Sequence, residues 1–180
     1  MKAVVFVDVQ KDFIDGALRN EKAIEVMPKI IEWAKELIVS NPEYRFYATR
    51  DTHTEDYSNT LEGKLLPIKH CIEGTDGWMI DERLYEVLEG AVTIINKPTF
   101  GSFDLAEILI EDQIKEQYFF DEILLCGFVS SICVAANAII LRAKFPNTKI
   151  TVMKDLCAGI TNEDHEAAMK VLEMQQINIG

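Results

Sequence analysis

The sequence predicts an α/β fold: one three-layer, doubly wound domain whose mainly parallel six-stranded sheet carries helices on both faces. Three observations support this. Strand-like and helix-like stretches alternate along the chain, the pattern of repeated βαβ units. The first apolar run, Lys2 to Val7, is continuous rather than alternating, as in a central parallel strand buried on both faces, and it stops at Asp8. Ile123–Leu125, then Gly127 with Ser130-Ser131, then Ala135–Lys144 read in succession as buried strand, sharp turn and helix. At 180 residues the chain is long enough to bury a sizeable core in a single domain.

The remaining elements follow in order. Val9 to Gly16 reads as a loop. Pro28 fits the first turn of a helix bearing Ile30, Ile31, Ala34, Leu37 and Ile38 at helical spacing, and Tyr44 to Thr49 is the second strand. Asp51 to Gly77 has no periodicity and reads as one long polar loop, a length that in compact domains is usually functional or disordered. Asp81 to Leu88 reads as a short helix, Val92 to Asn96 as a third strand, and a further helix starts near Asp104. Glu122 to Cys126 and Lys149 to Met153 are the fourth and fifth strands. Thr161 or Asn162 caps a last helix bearing Ala167, Ala168, Val171 and Leu172, and Ile177 to Ile179 adds a sixth strand.

Composition excludes several classes of function. The formal net charge of -12 disfavours nucleic acid and anionic membrane, both of which select a basic face. No apolar run approaches the roughly 20 residues that cross a bilayer. The apolar start ends at Asp8 with no small-residue cleavage site after it, so it reads as a strand rather than a signal peptide. Four cysteines in no tight pairing pattern fit reduced thiols in a cytoplasm. Neither a Gly-x-Gly-x-x-Gly nor a phosphate-loop signature is present, and no Cys-x-x-Cys pair indicates a thiol redox protein.

Chemistry-bearing residues gather at strand ends. Asp8, Lys97 and, one turn later, Cys133 follow the carboxyl ends of three strands, which in an open parallel sheet converge on one rim. An acid, a cation and a thiol there support nucleophilic attack on a carbonyl: Asp8 takes the thiol proton, Lys97 favours the thiolate and ionised Asp8, and Cys133 attacks. Near a helix N-terminus the Cys133 thiol is expected to ionise more easily than at an ordinary position. Three unrelated caps and a small buried cysteine are the plainer reading. Asp51 and His53 at a strand end, with His70 on the same excursion, supply two nitrogens and one oxygen for a divalent metal such as zinc. By spacing alone the same stretch equally reads as a solvated loop holding two of the three histidines. Cys71 is read as a buried structural thiol, with a fourth ligand as its alternative, and His165 as a solvated helix residue.

Taken together, Val7–Phe13, Arg50-Asp51-Thr52-His53, His70–Gly77, Asn96-Lys97-Pro98 and Gly127–Val134 resemble, in order and spacing, the motifs of the isochorismatase-like cysteine hydrolases, and within them the nicotinamidases. The resemblance covers nearly the whole chain. It implies Asp8, Lys97 and Cys133 as the catalytic triad, and a zinc or similar divalent ion on Asp51, His53 and His70, completed by waters. It implies a cis peptide between Phe128 and Val129, with the Val129 and Cys133 N–H groups as the oxyanion hole. Phe13 matches the ring-stacking aromatic; Phe103 is a second wall and Phe128 a third contact for a small amide substrate. Relatives commonly assemble as homo-oligomers, so the same is expected here.

The resemblance has departures. The turn after Phe13 lacks the longer Gly-rich stretch, Leu65–Lys69 lacks the usual Trp, and Ser130-Ser131 stands where Thr-Asp or Thr-Glu is common. A different small amide, or a binding role without catalysis, remain the alternatives to nicotinamide hydrolysis.

Overall fold

The computed structural model describes residues 1–40 and 43–180. Six strands, β1 (Lys2–Val7), β2 (Tyr44–Asp51), β3 (Val92–Lys97), β4 (Glu122–Phe128), β5 (Lys149–Ala158) and β6 (Asn178–Ile179), form one sheet in the order β3-β2-β1-β4-β5-β6. Every pairing is parallel, where the sequence predicted only a mainly parallel sheet. The order grows outward in both directions from the β1/β4 pair, so the crevice where ligands bind such sheets opens beyond the carboxyl ends of β1 and β4. The central strands are buried on both faces: Ala3 to Val7 and Ile123 to Phe128 belong to the core.

Among the described residues seven α-helices connect the strands: α1 (Lys11–Ile14), α2 (Glu21–Ser40), α3 (Leu61–Leu65), α4 (Glu82–Leu88), α5 (Phe103–Glu116), α6 (Ala135–Lys144) and α7 (Asn162–Met174). Right-handed crossovers put α2 and α4 on one face and α5, α6 and α7 on the other. Caps match local chemistry: Asp81 accepts from Arg83 N, Ser102 from Leu105 N, and Thr161 forms a capping box with Asp164. Among the described residues no helix is long and apolar enough to cross a membrane.

Three differences from the sequence reading have physical causes. Helix α2 begins at Glu21, with the Asn20 carboxamide accepting from Lys22 N at 2.9 Å, so Pro28 lies inside the helix rather than in its first turn. Pro28 is exposed, and water can serve the carbonyl that it leaves without a donor. The buried stripe is Ala23, Met27, Ile30, Ile31 and Ala34, while Ile38 faces outward. Val9 to Gly16 is not all loop, because Lys11–Ile14 forms one helical turn. Asp51 to Gly77 is not a loop throughout: a 3₁₀ turn at Glu55–Asn59 precedes α3, and Tyr57, Gly63 and His70–Ile72 are buried.

At the amino edge of the sheet, Glu122 lies 2.9 Å from Lys2 Nζ and 2.8 Å from Lys149 Nζ, and it accepts from Thr151 Oγ1 at 2.7 Å. Burial opposes its charge, but these donors outweigh it and hold its pKa down to about 2. A depressed carboxyl stabilises the fold above its unfolded pKa, and that stability is lost as the pH falls through the folded value. Glu122→Gln is therefore expected to lower stability at pH 7 by about 1–2 kcal/mol, screening allowed for, with the difference vanishing toward pH 2. Urea titrations of both proteins across that range check this.

Candidate active site

The site is built from the carboxyl ends of four neighbouring strands. Asp8, just after β1, is fully buried and takes a left-handed backbone (φ 49°), a conformation Asp tolerates better than most residues. Its Oδ1 accepts from Thr49 Oγ1 at 2.7 Å. Its Oδ2 lies 2.6 Å from Lys97 Nζ, off hydrogen-bond geometry, and no donor is aligned on it. That oxygen, paired in charge with Lys97 but without an aligned donor, is the one placed to exchange a proton with the pocket. Lys97, the last residue of β3, reaches past Asp51 to Asp8; its Nζ also stands 3.5 Å from Asp51 Oδ1 and 3.7 Å from Cys133 Sγ, and it donates to Thr99 O at 3.1 Å.

Cys133 enters from the turn after β4. Gly127 permits that turn: its φ of 120° lies outside the range of L side chains, and a Cβ there would be driven into the Val7 carbonyl oxygen. The Phe128–Val129 peptide is cis, as the family resemblance implied. Ser130–Val134 then forms a π turn, with Val134 N donating to Val129 O at 3.2 Å, before α6 begins. Cys133 is 5% exposed and shares the pocket with Asp8 and Lys97. Burial above all, and then the Asp8 charge, push its thiol well up, with Lys97 compensating only in part. This corrects the expectation of an easily formed thiolate: at rest the sulfur keeps its proton. Burial also raises Asp8, against the pull of Lys97. For Lys97 burial opposes the charge, but Asp8, Cys133 and Asp51 raise its pKa overall, so the cation persists.

Beside this cluster Asp51, His53 and His70 converge, joined by Glu62 of α3, and the four donor atoms lie within 4.8 Å of one another. Asp51 Oδ2 is 3.0 Å from His53 Nε2 and 3.5 Å from His70 Nε2; Glu62 Oε1 is 3.6 and 3.7 Å from the same nitrogens. These residues fit a zinc-like ion. Bonds of about 2.0–2.2 Å put neighbouring donors about 2.8–3.6 Å apart for angles between a right angle and the tetrahedral one, close to the spacings found, so four protein donors need not close the coordination sphere. His70 Nδ1 meets Ile68 O at 2.8 Å, so it carries the ring proton and leaves the Nε2 lone pair facing the cluster. Burial, and then the charge of Asp51, raise the pKa of Glu62, so this pair of acids gains from a cation between them.

Buried polar residues hold the cluster in place. Gln10 clamps the backbone of Asp51, accepting from its N–H at 2.7 Å and donating to its carbonyl at 2.9 Å, with a further bond to Trp78 O at 2.9 Å. Asp12 accepts from Cys71 N at 2.7 Å, and His53 N donates to Cys71 O at 2.9 Å, which lays His70 against His53. Tyr57 packs on both histidines, with ring centroids 4.7 and 5.0 Å away. Asn137 of α6 donates to Cys133 O at 2.8 Å and Phe100 O at 3.2 Å and accepts from Ser102 N at 2.9 Å, tying the Lys97 loop to the nucleophile turn.

Of the expected substrate contacts, Phe13 lies beside the histidines, its ring 5.6 Å from His70. Phe128 is fully buried within β4, and Phe103 opens α5 with 76% of its surface exposed. Glu62, rather than Cys71, is the fourth donor; Cys71 is buried and serves through its backbone, and all four cysteines are free thiols. Glu62 went unread because α3 lies in a stretch with no periodicity, whereas the Thr60 cap ahead of it was a legible signal. His165 is half-buried and hydrogen-bonded to Ser130, not solvated.

A parallel sheet with its polar cluster at the switch point defines an α/β fold of the doubly wound class, and the sequence pattern of the isochorismatase domain matches residues 2–179. The chain belongs to the isochorismatase family and has its hydrolase fold. Among solved structures it is similar to the nicotinamidase/pyrazinamidase of Bacillus subtilis (TM-score 0.85, 26% identity, 99% of this chain and 98% of that one). It is also similar to the pyrazinamidase of Pyrococcus horikoshii in complex with zinc (0.81, 26%, 99% and 98%). The pyrazinamidase/nicotinamidase of Streptococcus mutans shares the fold at TM-score 0.84 and 24% identity, over 100% of both chains. No curated protein matches in sequence.

Proposed function

We propose that this chain is a metal-assisted cysteine amidohydrolase that converts nicotinamide to nicotinate and ammonia. The observation that carries the reading is the buried Asp8–Lys97–Cys133 cluster lying directly against the Asp51–His53–Glu62–His70 donor set. The names of the Bacillus and Pyrococcus neighbours, and the zinc of the latter, support it.

In the proposed mechanism the Cys133 sulfur attacks the amide carbon while its proton passes to Asp8 Oδ2. The thiol is held protonated by burial, so deprotonation and attack are coupled, and Lys97 balances the negative charge throughout. The tetrahedral oxyanion is met by the N–H groups of Val129 and Cys133, each such donor being typically worth about 10²–10³ in rate. Asp8 returns its proton to the nitrogen, the C–N bond breaks and ammonia leaves. Asp8 then deprotonates a water that attacks the thioester carbon; the acid is released and the proton goes back to sulfur. Asp51, His53, Glu62 and His70 would hold the metal, which supplies a Lewis-acid anchor for the ring nitrogen and an acidified water. Phe13, beside His70, stacks on the ring.

Ammonia release from nicotinamide, with the metal stripped by chelator and restored, tests this reading. Turnover that depends on metal supports it; turnover indifferent to metal removes the metal from the mechanism; no release drops nicotinamide, and a panel of small amides then separates another hydrolase from a binding protein. Glu62→Gln removes one anionic donor while keeping its shape. Zinc affinity measured by competition with a chromophoric chelator is expected to fall by about 10–100-fold.

A further inference from the structure

We propose that His165 is a positioning residue for the nucleophile turn: it accepts a hydrogen bond from the Ser130 hydroxyl and so fixes the backbone between Val129 and Cys133, and protonation of the ring reverses that bond and leaves the buried Ser130 proton without this acceptor. The inference rests on the amidohydrolase reading above.

Ser130 is fully buried and opens the π turn, between the two amides assigned to the oxyanion and one residue after the cis peptide. Its Oγ lies 2.7 Å from His165 Nδ1, on the first turn of α7. This bond joins the turn to a neighbouring helix, so it fixes where Val129 and Cys133 sit relative to the sheet. Small displacements of oxyanion donors are costly in rate because the donors act only at short range.

The bond depends on the protonation state of the ring. A neutral imidazole with its proton on Nε2 offers Nδ1 as an acceptor for the Ser130 hydroxyl, whereas an imidazolium can only donate to the Ser130 oxygen, which reverses the bond and leaves the hydroxyl proton to find another acceptor. The surroundings favour the neutral ring. His165 lies at the positive end of α7, and its partial burial pulls its pKa down. The charged groups that face it are Asp164 and Glu166 on its own helix and Lys154 and Asp155 on β5; Lys154 pairs with Glu166 at 2.7 Å. From the turn it meets the Ser130 hydroxyl. Arg142 and Lys144 of α6 turn instead to Thr148 O and Pro146 O and to Glu107.

The test joins kinetics with histidine NMR. Ser130→Ala and His165→Ala are each expected to lower kcat about five- to tenfold, the size of one hydrogen bond, with KM within about twofold. The double variant should be no worse than either single one, and His165→Asn, which keeps an acceptor, should recover most of the rate and lose one ionisation from the acid limb of the pH profile. Unchanged kcat in the single variants, multiplicative losses in the double one, or an acid limb identical in His165→Asn would overturn the proposal. Should Ser130→Ala not fold, the His165 variants, on a half-exposed face, still decide it. In the wild type ¹⁵N shifts should show the Nε2–H tautomer at neutral pH, and an Nδ1–H tautomer would overturn the assignment. The ring shifts, and the rate at which iodoacetamide alkylates Cys133, are read without any amide substrate, so failure of the tether and failure of the amidohydrolase reading are separable.

Discussion

Cys133→Ala is expected to abolish ammonia release, lowering kcat by about four to six orders of magnitude while the protein stays folded and still binds zinc. Loss of a nucleophile that acts as a unit with its base removes the whole covalent route, and what survives is the contribution of binding and oxyanion donors to direct attack by water. The fold tolerates the change because the smaller alanine side chain would leave a space no larger than one sulfur, at a position 5% exposed that opens onto the pocket. Cys133→Ser separates nucleophilicity from shape. A serine hydroxyl has a far higher pKa than a thiol, and Asp8 Oδ2 has only Lys97 to hold it ready as a base, so the serine variant should remain close to the alanine one. Substantial retained turnover in either variant, with chemically pure protein, would remove Cys133 from the mechanism. Quantifying bound zinc in the same samples shows whether the donor set survives independently.

How much of this site could be read from the sequence depends on where each residue's partners lie. Asp8, Lys97 and Cys133 were legible because each lies at or just beyond the carboxyl end of a strand and such ends share one rim; the observed register aligns Val7 with both Thr49 and Gly127 and Asp51 with Lys97. His53 and His70 were legible as metal-capable side chains, though their pairing needs the Cys71 backbone and the Asp12 carboxylate, neither of which spacing reveals. Glu62 and Asn137 were missed for the opposite reason. Their role is set by partners distant in the chain, and polar residues in a short helix look the same whether they point to solvent or into a site. The same holds for Gln10, whose single carboxamide fixes the backbone of Asp51, 41 positions away. Pro28 misled because its preference for a first helical turn is only statistical, and here its solvent-facing side makes the interior tolerable. Cys133 was placed correctly in space but misread electrostatically: a helix terminus favours a thiolate only where burial and nearby carboxylates do not outweigh it.

Lys97→Met is the change that most directly tests the buried charges, because it keeps the side-chain length and removes the cation. Asp8 is fully buried and Lys97 is its neutralising partner, so the variant is expected to lose about 3–5 kcal/mol of stability at neutral pH, the typical result of orphaning one member of a buried pair. Urea unfolding of metal-free protein measures this without the added stabilisation that a bound ion gives the native state. The pH dependence has a definite sign. Without the cation, Asp8 stays protonated in the folded variant at pH values where the unfolded chain, with an ordinary pKa near 3.9, has lost its proton. The folded state then binds more protons than the unfolded one, so stability rises as the pH falls toward about 4. Adding Asp8→Asn removes the orphaned charge and should return most of the lost stability while leaving turnover absent. Turnover of Lys97→Met should itself fall by at least about two orders of magnitude, since the cation balances the charge that passes between Asp8 and the sulfur. If Lys97→Met were as stable as the wild type at pH 7, the proton would have to reside on Asp8 in the resting protein. Cys133 would then face a carboxylic acid, and the base that receives its proton would have to be sought elsewhere in the pocket.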